Sequence, residues 1–313
     1  MGLLNCFRDS LSKRTVSGAV LTTDSASTAP TAFIADHACS VPRCVHPDFL
    51  NAVFQLCTEH DVKLLVPTID TELPIYSAAA RRLMEIGVSA AISEPSTVQI
   101  CCDKIATHEW LATNGFPTVR QTSLDLALRH PSQWPLPLIV KPSNGSASIG
   151  VRRVETRKEL EAMDATKNWI VQDIADGREF TINVYVNRAG ECICAVPHWR
   201  MEVRAGEVSK ALTIKDHRLM DLARSVAEAL PGAFGPLNIQ CFMNDSGAIR
   251  IIEINARFGG GYPLAHRAGA RFTDWLLDEL EGKCPTSFDA WTDDLAMLRY
   301  DEAVFVPGGK IRT

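Results

Sequence analysis

The chain has no closely spaced cysteine pairs of the kind that hold structural zinc. Its ten cysteines include adjacent Cys101-Cys102, and Cys192 and Cys194 one residue apart, but no Cys-x-x-Cys. Most lie in apolar contexts, where free cysteine packs as a small hydrophobe, so a reduced, cytoplasmic protein is expected. No apolar run approaches the roughly 18 residues that cross a bilayer, which excludes a spanning helix of that kind. Residues 1–10 contain no cationic segment leading into an apolar core, so no secretory signal is expected. A large charge excess is also missing. The net charge of −5 gives no general attraction to nucleic acid or membrane, so an anionic ligand must be met by local positive charge. No Gly-Lys-Ser/Thr ending follows a glycine-rich turn, which removes the Walker A reading, and the Rossmann fingerprint fails as well. No Ser-His-Asp or Cys-His nucleophile set is evident.

What is present is an ordinary globular composition, 46% hydrophobic and 22% charged, over 313 residues, enough for one to three domains. In the first hundred residues short strand-like runs (19–22, 63–68, 90–93) alternate with helical patterns (47–60 and 72–86, the latter capped by Gly87). This alternation predicts a parallel sheet, with the loops 22–24 and 68–70 at its ligand-binding carboxyl edge. A helix over 2–12 opens the chain with no strand before it, so the sheet is expected to lack its first strand. A helical region spans 96–114. Lys141 closes a strand over 136–142, and a small-residue loop to Gly150 leads into another at 151–154. Beyond a short helix (157–164), strands are predicted over 169–174, 179–187 and 191–197. Residues 198–215 hold Arg200, Arg204, Lys210 and Lys215 and read as a basic loop. A helix over 216–230, strands over 237–244 and 249–255, and a helix over 273–281 complete the pattern. There are no repeats and no low-complexity linker.

Residues 249–261, Ile-Arg-Ile-Ile-Glu-Ile-Asn-Ala-Arg-Phe-Gly-Gly-Gly, order the rest. Side chains alternate along a strand, so Glu253, Asn255 and Arg257 share one face while Ile252 and Ile254 take the other. A carboxylate, an amide oxygen and a guanidinium together suit a hard cation beside a phosphate. The plainer alternative is a solvated strand face. On the preceding strand Asn238 and Gln240 share a face, and the hairpin can set Gln240 beside Glu253.

In order, Asp103-Lys104, Lys141-Pro142, the loop to Gly150, the stretch from Gln172 to Glu179, Asn238-Ile239-Gln240 and Glu253-Ile254-Asn255-Ala256-Arg257 resemble the ATP-grasp superfamily. The nearest resemblance is to proteins similar to the carbamoyl-phosphate synthase large subunit, over about residues 60 to 282. It implies an α/β (α+β overall) ATP-grasp fold. This has an amino-terminal parallel α/β domain (1–97) and an ATP-grasp domain (98–313), divided into a small lid subdomain (about 118–175) and an antiparallel carboxy-terminal α+β subdomain (about 176–313), with ATP between the last two. Lys104 and Lys141 would contact phosphates, and the loop holding Ser146 and Gly150 would close over them. Gln172, Asp173 and Ile174 would read adenine, Glu179 would accept from the ribose, and Asn238 would line the nucleotide. Gln240, Glu253 and Asn255 would hold one or two Mg²⁺ (or Mn²⁺) ions, with Arg257 on the transferring phosphoryl group. Arg204, with Arg200 and Lys210, is assigned to the acceptor. The implied activity is an ATP- and Mg²⁺-dependent ligase that makes an acylphosphate and passes it to an amine or other nucleophile. Small carboxylates and amines would be its partners and a homodimer would be compatible, with no nucleic acid or membrane involved. Two alternatives stay open: carbamoyl-phosphate-synthase-like phosphorylation of bicarbonate or carbamate with a partner, and a non-catalytic ATP-binding regulatory subunit.

Overall fold

The computed structural model describes every residue other than Val16, residues 145–148, Ala165, Arg312 and Thr313. The chain opens with α1 (Gly2–Ser12), whose Leu4, Cys6, Phe7 and Ser10 form the buried stripe of an amphipathic helix. β1 (Leu21–Asp24) pairs in parallel with β2 (His37–Ser40). After α2 (Phe49–Glu59), β3 (Leu64–Leu65) is followed by α3 (Leu73–Glu85) and pairs in parallel with β4 (Ser89–Ala90). The expected single sheet is therefore two parallel pairs that are not hydrogen-bonded to each other. The second pair is short: Pro67, soon after β3, has no N–H to donate to a ladder. Phe49, Val53, Tyr76 and Leu83 pack the two helices into a local core.

The helical region expected over 96–114 is two helices, α4 (Pro95–Cys102) and α5 (Lys104–Thr113). Asp103 breaks it. Its backbone is extended and its carboxylate accepts from the N–H groups of Ile105 and Ala106, which makes it the N-cap of α5.

Next come β5 (Gln121–Ser123), α6 (Leu124–Arg129), β6 (Leu138–Pro142), β7 (Arg152–Val154), α7 (Arg157–Glu161) and β8 (Trp169–Asp173). The strands form an antiparallel sheet in the order β5-β8-β6-β7 with its own core of Trp134, Leu138, Val140, Leu160 and Val171.

The remainder is β9 (Arg178–Val186), β10 (Cys192–Arg204), β11 (Glu207–Thr213), α8 (His217–Ala229), β12 (Gly235–Met243), β13 (Ile249–Asn255), α9 (Tyr262–Arg267), α10 (Phe272–Leu280) and β14 (Ala296–Leu298). Its six strands run antiparallel as β13-β12-β9-β10-β11-β14. The main core lies against this sheet, with Phe180, Ile182, Ile239, Ile254, Leu219, Val226 and Phe272, and it extends to Cys6 and Phe7 of α1. The predicted basic loop is instead the β10–β11 hairpin, because β10 continues seven residues past Pro197. All ten cysteines are free. Among the described residues no helix is long and apolar enough to cross a membrane.

Candidate functional site

Between the four-stranded and six-stranded sheets lies a cavity of about 350 Å³, within the range of small-molecule sites. Residues 117–119 cross between the sheets along the edge of β13: Ile251 N–H donates to Pro117 O at 3.0 Å, and Thr118 bridges Ile251. Residues 173–176 make the return crossing, and Asp173, Ile174 and Ala175 also line the cavity.

The β12–β13 hairpin brings the polar residues together. Gln240 lies directly opposite Glu253, but Cys241 lies opposite Ile251, so β13 carries an extra residue at this point. Two residues opposing one is a β-bulge, which turns consecutive side chains to one side. Ile252 therefore lines the cavity with Glu253, rather than facing away beside Ile254 as simple alternation implies. Ile252, Phe242, Ile139 and Ile174 supply apolar wall near the polar cluster. Asn255 is buried and is not part of the lining. Its Nδ2 donates to Asn238 Oδ1 at 3.2 Å, and Asn238 Nδ2 donates to Arg257 O at 3.1 Å.

Facing this cluster are Lys104, at the start of α5, and Lys141, on β6. Lys141 is only 6% exposed. Burial lowers its pKa to about 8, with Glu253 and Glu179 pulling it back up and Lys104 pushing it further down. A desolvated ammonium facing only partial compensation favours an anionic ligand. Glu179 has its pKa raised by burial, although Arg200 Nε lies 3.0 Å from its Oε1. Arg200 also donates to Thr181 Oγ1 and Gly206 O.

Arg257 leaves the chain just after β13, and Asp70 of the amino-terminal segment grips it. Its Nε and Nη2 donate to the two oxygens of Asp70 at 2.7 and 2.6 Å, and Nη1 donates to Phe258 O. The glycines that follow allow close approach. A Cβ on Gly261 would lie 2.6 Å from Nε2 of His198, a fully buried ring whose pKa burial and Arg200 push down to about 3.

The cavity thus gathers Lys104, Lys141, Gln172, Asp173, Ile174, Glu179, Asn238, Gln240, Glu253 and Arg257. Gly150 follows β6 at φ +79°, a glycine conformation, where an added Cβ would lie 3.0 Å from Pro142, and it is not part of the lining. Ser146 falls outside the described residues. Arg204 is the clear departure. Its side chain is 61% exposed and donates to both oxygens of Asp301, away from the cavity. Lys210 likewise pairs with Glu202. The hairpin is the reason: Arg200 turns inward, whereas Arg204 lies at the outer end of β10. Residues that sequence reasoning missed are Gln121, Thr181 and Glu207. Asp70 was signalled only by its loop at a strand's carboxyl edge.

Residues 101–261, just over half of the chain, match the ATP-grasp domain. The chain belongs to the ATP-grasp family. This ATP-grasp segment holds every cavity residue described above; Asp70, the partner of Arg257, lies outside it. Residues 1–91 match the PylC-like N-terminal domain. The chain is 25% identical over 231 residues to a D-alanine–D-alanine ligase of Lacticaseibacillus casei, a match covering 66% of this chain and 64% of that ligase's length. Among solved structures, the biotin carboxylase domain of Hydrogenobacter thermophilus 2-oxoglutarate carboxylase, crystallised with MgADP and bicarbonate, superposes with a TM-score of 0.75. Identity there is 17%, covering 94% of this chain and 71% of that one. N5-carboxyaminoimidazole ribonucleotide synthetase of Thermotoga maritima superposes at 0.65 with 20% identity, covering 91% and 74%. At such identities these structures speak to the ATP-grasp fold alone.

Proposed function

We propose that this chain is an ATP- and Mg²⁺-dependent ligase that activates a small carboxylate as an acylphosphate and transfers the acyl group to an amine or another nucleophile. One observation carries the reading: the Gln240–Glu253 oxygen pair faces Lys104 and the desolvated Lys141 across one cavity. A carboxylate and a carboxamide beside two cations, one of them buried, suit a metal–triphosphate complex, in which the phosphates complete the metal's shell and neutralise the ammonium groups. The donor set therefore fits Mg²⁺. Gln240 and Glu253 would hold the ion, with Asn255 behind them. Bound there, Mg²⁺ would supply charge neutralisation on the phosphate oxygens.

In this reading Lys104 and Lys141 position the phosphates. Gln172 and the backbone at Asp173 and Ile174 hold the base, Glu179 takes the ribose hydroxyls, and Asn238 keeps Asn255 and the Arg257 backbone in place. A carboxylate oxygen attacks the γ-phosphorus while the bond to the β–γ bridging oxygen breaks, releasing ADP. A nucleophile then adds to the acyl carbon and phosphate leaves. Arg257 stabilises charge on the transferred phosphoryl group, and such transfer depends on positioning and electrostatics more than on covalent help from the protein. Arg200, rather than Arg204, is the inward-facing arginine of the β10–β11 hairpin available for the acceptor end. The relatives named as D-alanine–D-alanine ligases support a carboxylate–amine pairing.

The test is phosphate release from MgATP against a panel of carboxylates combined with amines. Turnover that requires both partners and is lost in Glu253→Gln supports the ligase. ATP binding with no release across the panel supports a non-catalytic nucleotide-binding protein instead.

A further inference from the structure

Gln172 lines the cavity near the end of β8, yet it is 4% exposed, and its amide is held from behind. On the neighbouring strand Gln121 is its register partner across the β5–β8 ladder. Gln172 Nε2 donates to Gln121 Oε1 at 2.6 Å, and Gln121 Nε2 donates to the backbone carbonyl of Lys104 at 2.9 Å. The order of this relay is dictated by its far end. A backbone carbonyl only accepts, so the Gln121 atom touching it must be the NH2 group. Gln121 then offers its oxygen to Gln172, and the Gln172 atom touching that oxygen must be nitrogen. The group left to Gln172 is Oε1, an acceptor.

We infer that Gln121 is a positioning residue that fixes the amide polarity of Gln172 and makes the base pocket selective for a purine with a 6-amino group. The inference rests on the reading of the cavity as a nucleotide site. An acceptor at this wall bonds the exocyclic amine of adenine, whereas a 6-oxo purine sets two acceptors against each other, which is unfavourable in a partly desolvated site. Without Gln121 the Gln172 amide is free to rotate and present either end.

The experiment is calorimetric titration of the full chain with MgATP and with the magnesium complex of purine riboside triphosphate, which lacks only the 6-amino group. Wild type is expected to bind ATP about tenfold more tightly, the equivalent of one good hydrogen bond. In Gln121→Met that ratio falls to within about twofold, while the affinity for purine riboside triphosphate is unchanged. In Gln121→Glu the ratio is retained, because a protonated carboxyl keeps both bonds, accepting from Gln172 Nε2 and donating to the Lys104 carbonyl; any weakening affects both nucleotides alike. A ratio unchanged in Gln121→Met overturns the inference and leaves the nucleotide site standing. Equal affinity of wild type for the two nucleotides does the same without any variant. Absence of binding by either nucleotide to wild type removes the underlying reading as well.

Discussion

Replacing Lys141 with methionine separates function from stability. The ammonium is buried among Glu253, Glu179 and Lys104, and its pKa lies at about 8 instead of 10.5. At roughly 1.4 kcal/mol per pH unit, keeping it charged in the folded protein costs about 3 kcal/mol. Methionine fills similar volume with no charge to desolvate, so Lys141→Met is expected to be more stable than wild type at pH 7, by up to about 3 kcal/mol. The pH window follows from the linkage. Between pH 8 and 10.5 the unfolded chain binds a proton at Lys141 that the folded chain has released, so wild-type stability rises with pH through that window. The gap between variant and wild type should therefore narrow from pH 7 to pH 10. MgATP should close most of the pH 7 gap, since ligand at 100 times Kd adds about 2.7 kcal/mol to wild type and much less to a variant that has lost its phosphate contact. Urea unfolding at both pH values, with and without MgATP, measures each part. A Lys141→Met protein less stable than wild type at pH 7, or a gap independent of pH, would refute the reasoning.

Asp70→Asn leaves a mostly buried guanidinium without its counter-ion and should cost about 1–3 kcal/mol in unfolding assays, with MgATP restoring part of the loss. If the substitution proves neutral, Asp70 is not what holds Arg257. Gly261→Ala drives a Cβ into the buried His198 ring, for an expected loss of about 1–3 kcal/mol in denaturant melts. Shortening the ring in His198→Ser should relieve that loss, and a double variant as unstable as the sum of the singles would show the clash is not its source. Arg204→Ala should leave turnover and acceptor KM within about twofold, since its partner Asp301 is an exposed pair. A large rise in acceptor KM would return Arg204 to the site.

Much of the fold was legible because its signals are local. The buried stripe of α1, the alternation along β9 and the apolar run of β13 need only neighbours in sequence. The features that were hidden depend on distant partners. Nothing in the sequence around Ile252 announces a bulge, because a two-against-one pairing is defined by the opposite strand. The continuation of β10 past Pro197 and the edge strand β14 are stabilised by β11, which a run of charged residues disguised as a loop. In the site, Lys104, Lys141, Gln240 and Glu253 were visible through an ordered set of motifs. Asp70 meets Arg257 across 187 residues of chain and Gln121 meets Gln172 across 51, and no periodicity reports such contacts.

The central claim is that a carboxylate oxygen attacks the γ-phosphorus of ATP. Its most direct test is turnover with an acceptor carboxylate labelled with ¹⁸O. Because the oxygen bridging carbon and phosphorus departs with the phosphate, each phosphate released is expected to carry one ¹⁸O atom. Phosphate carrying no label, released at the same rate, would contradict it.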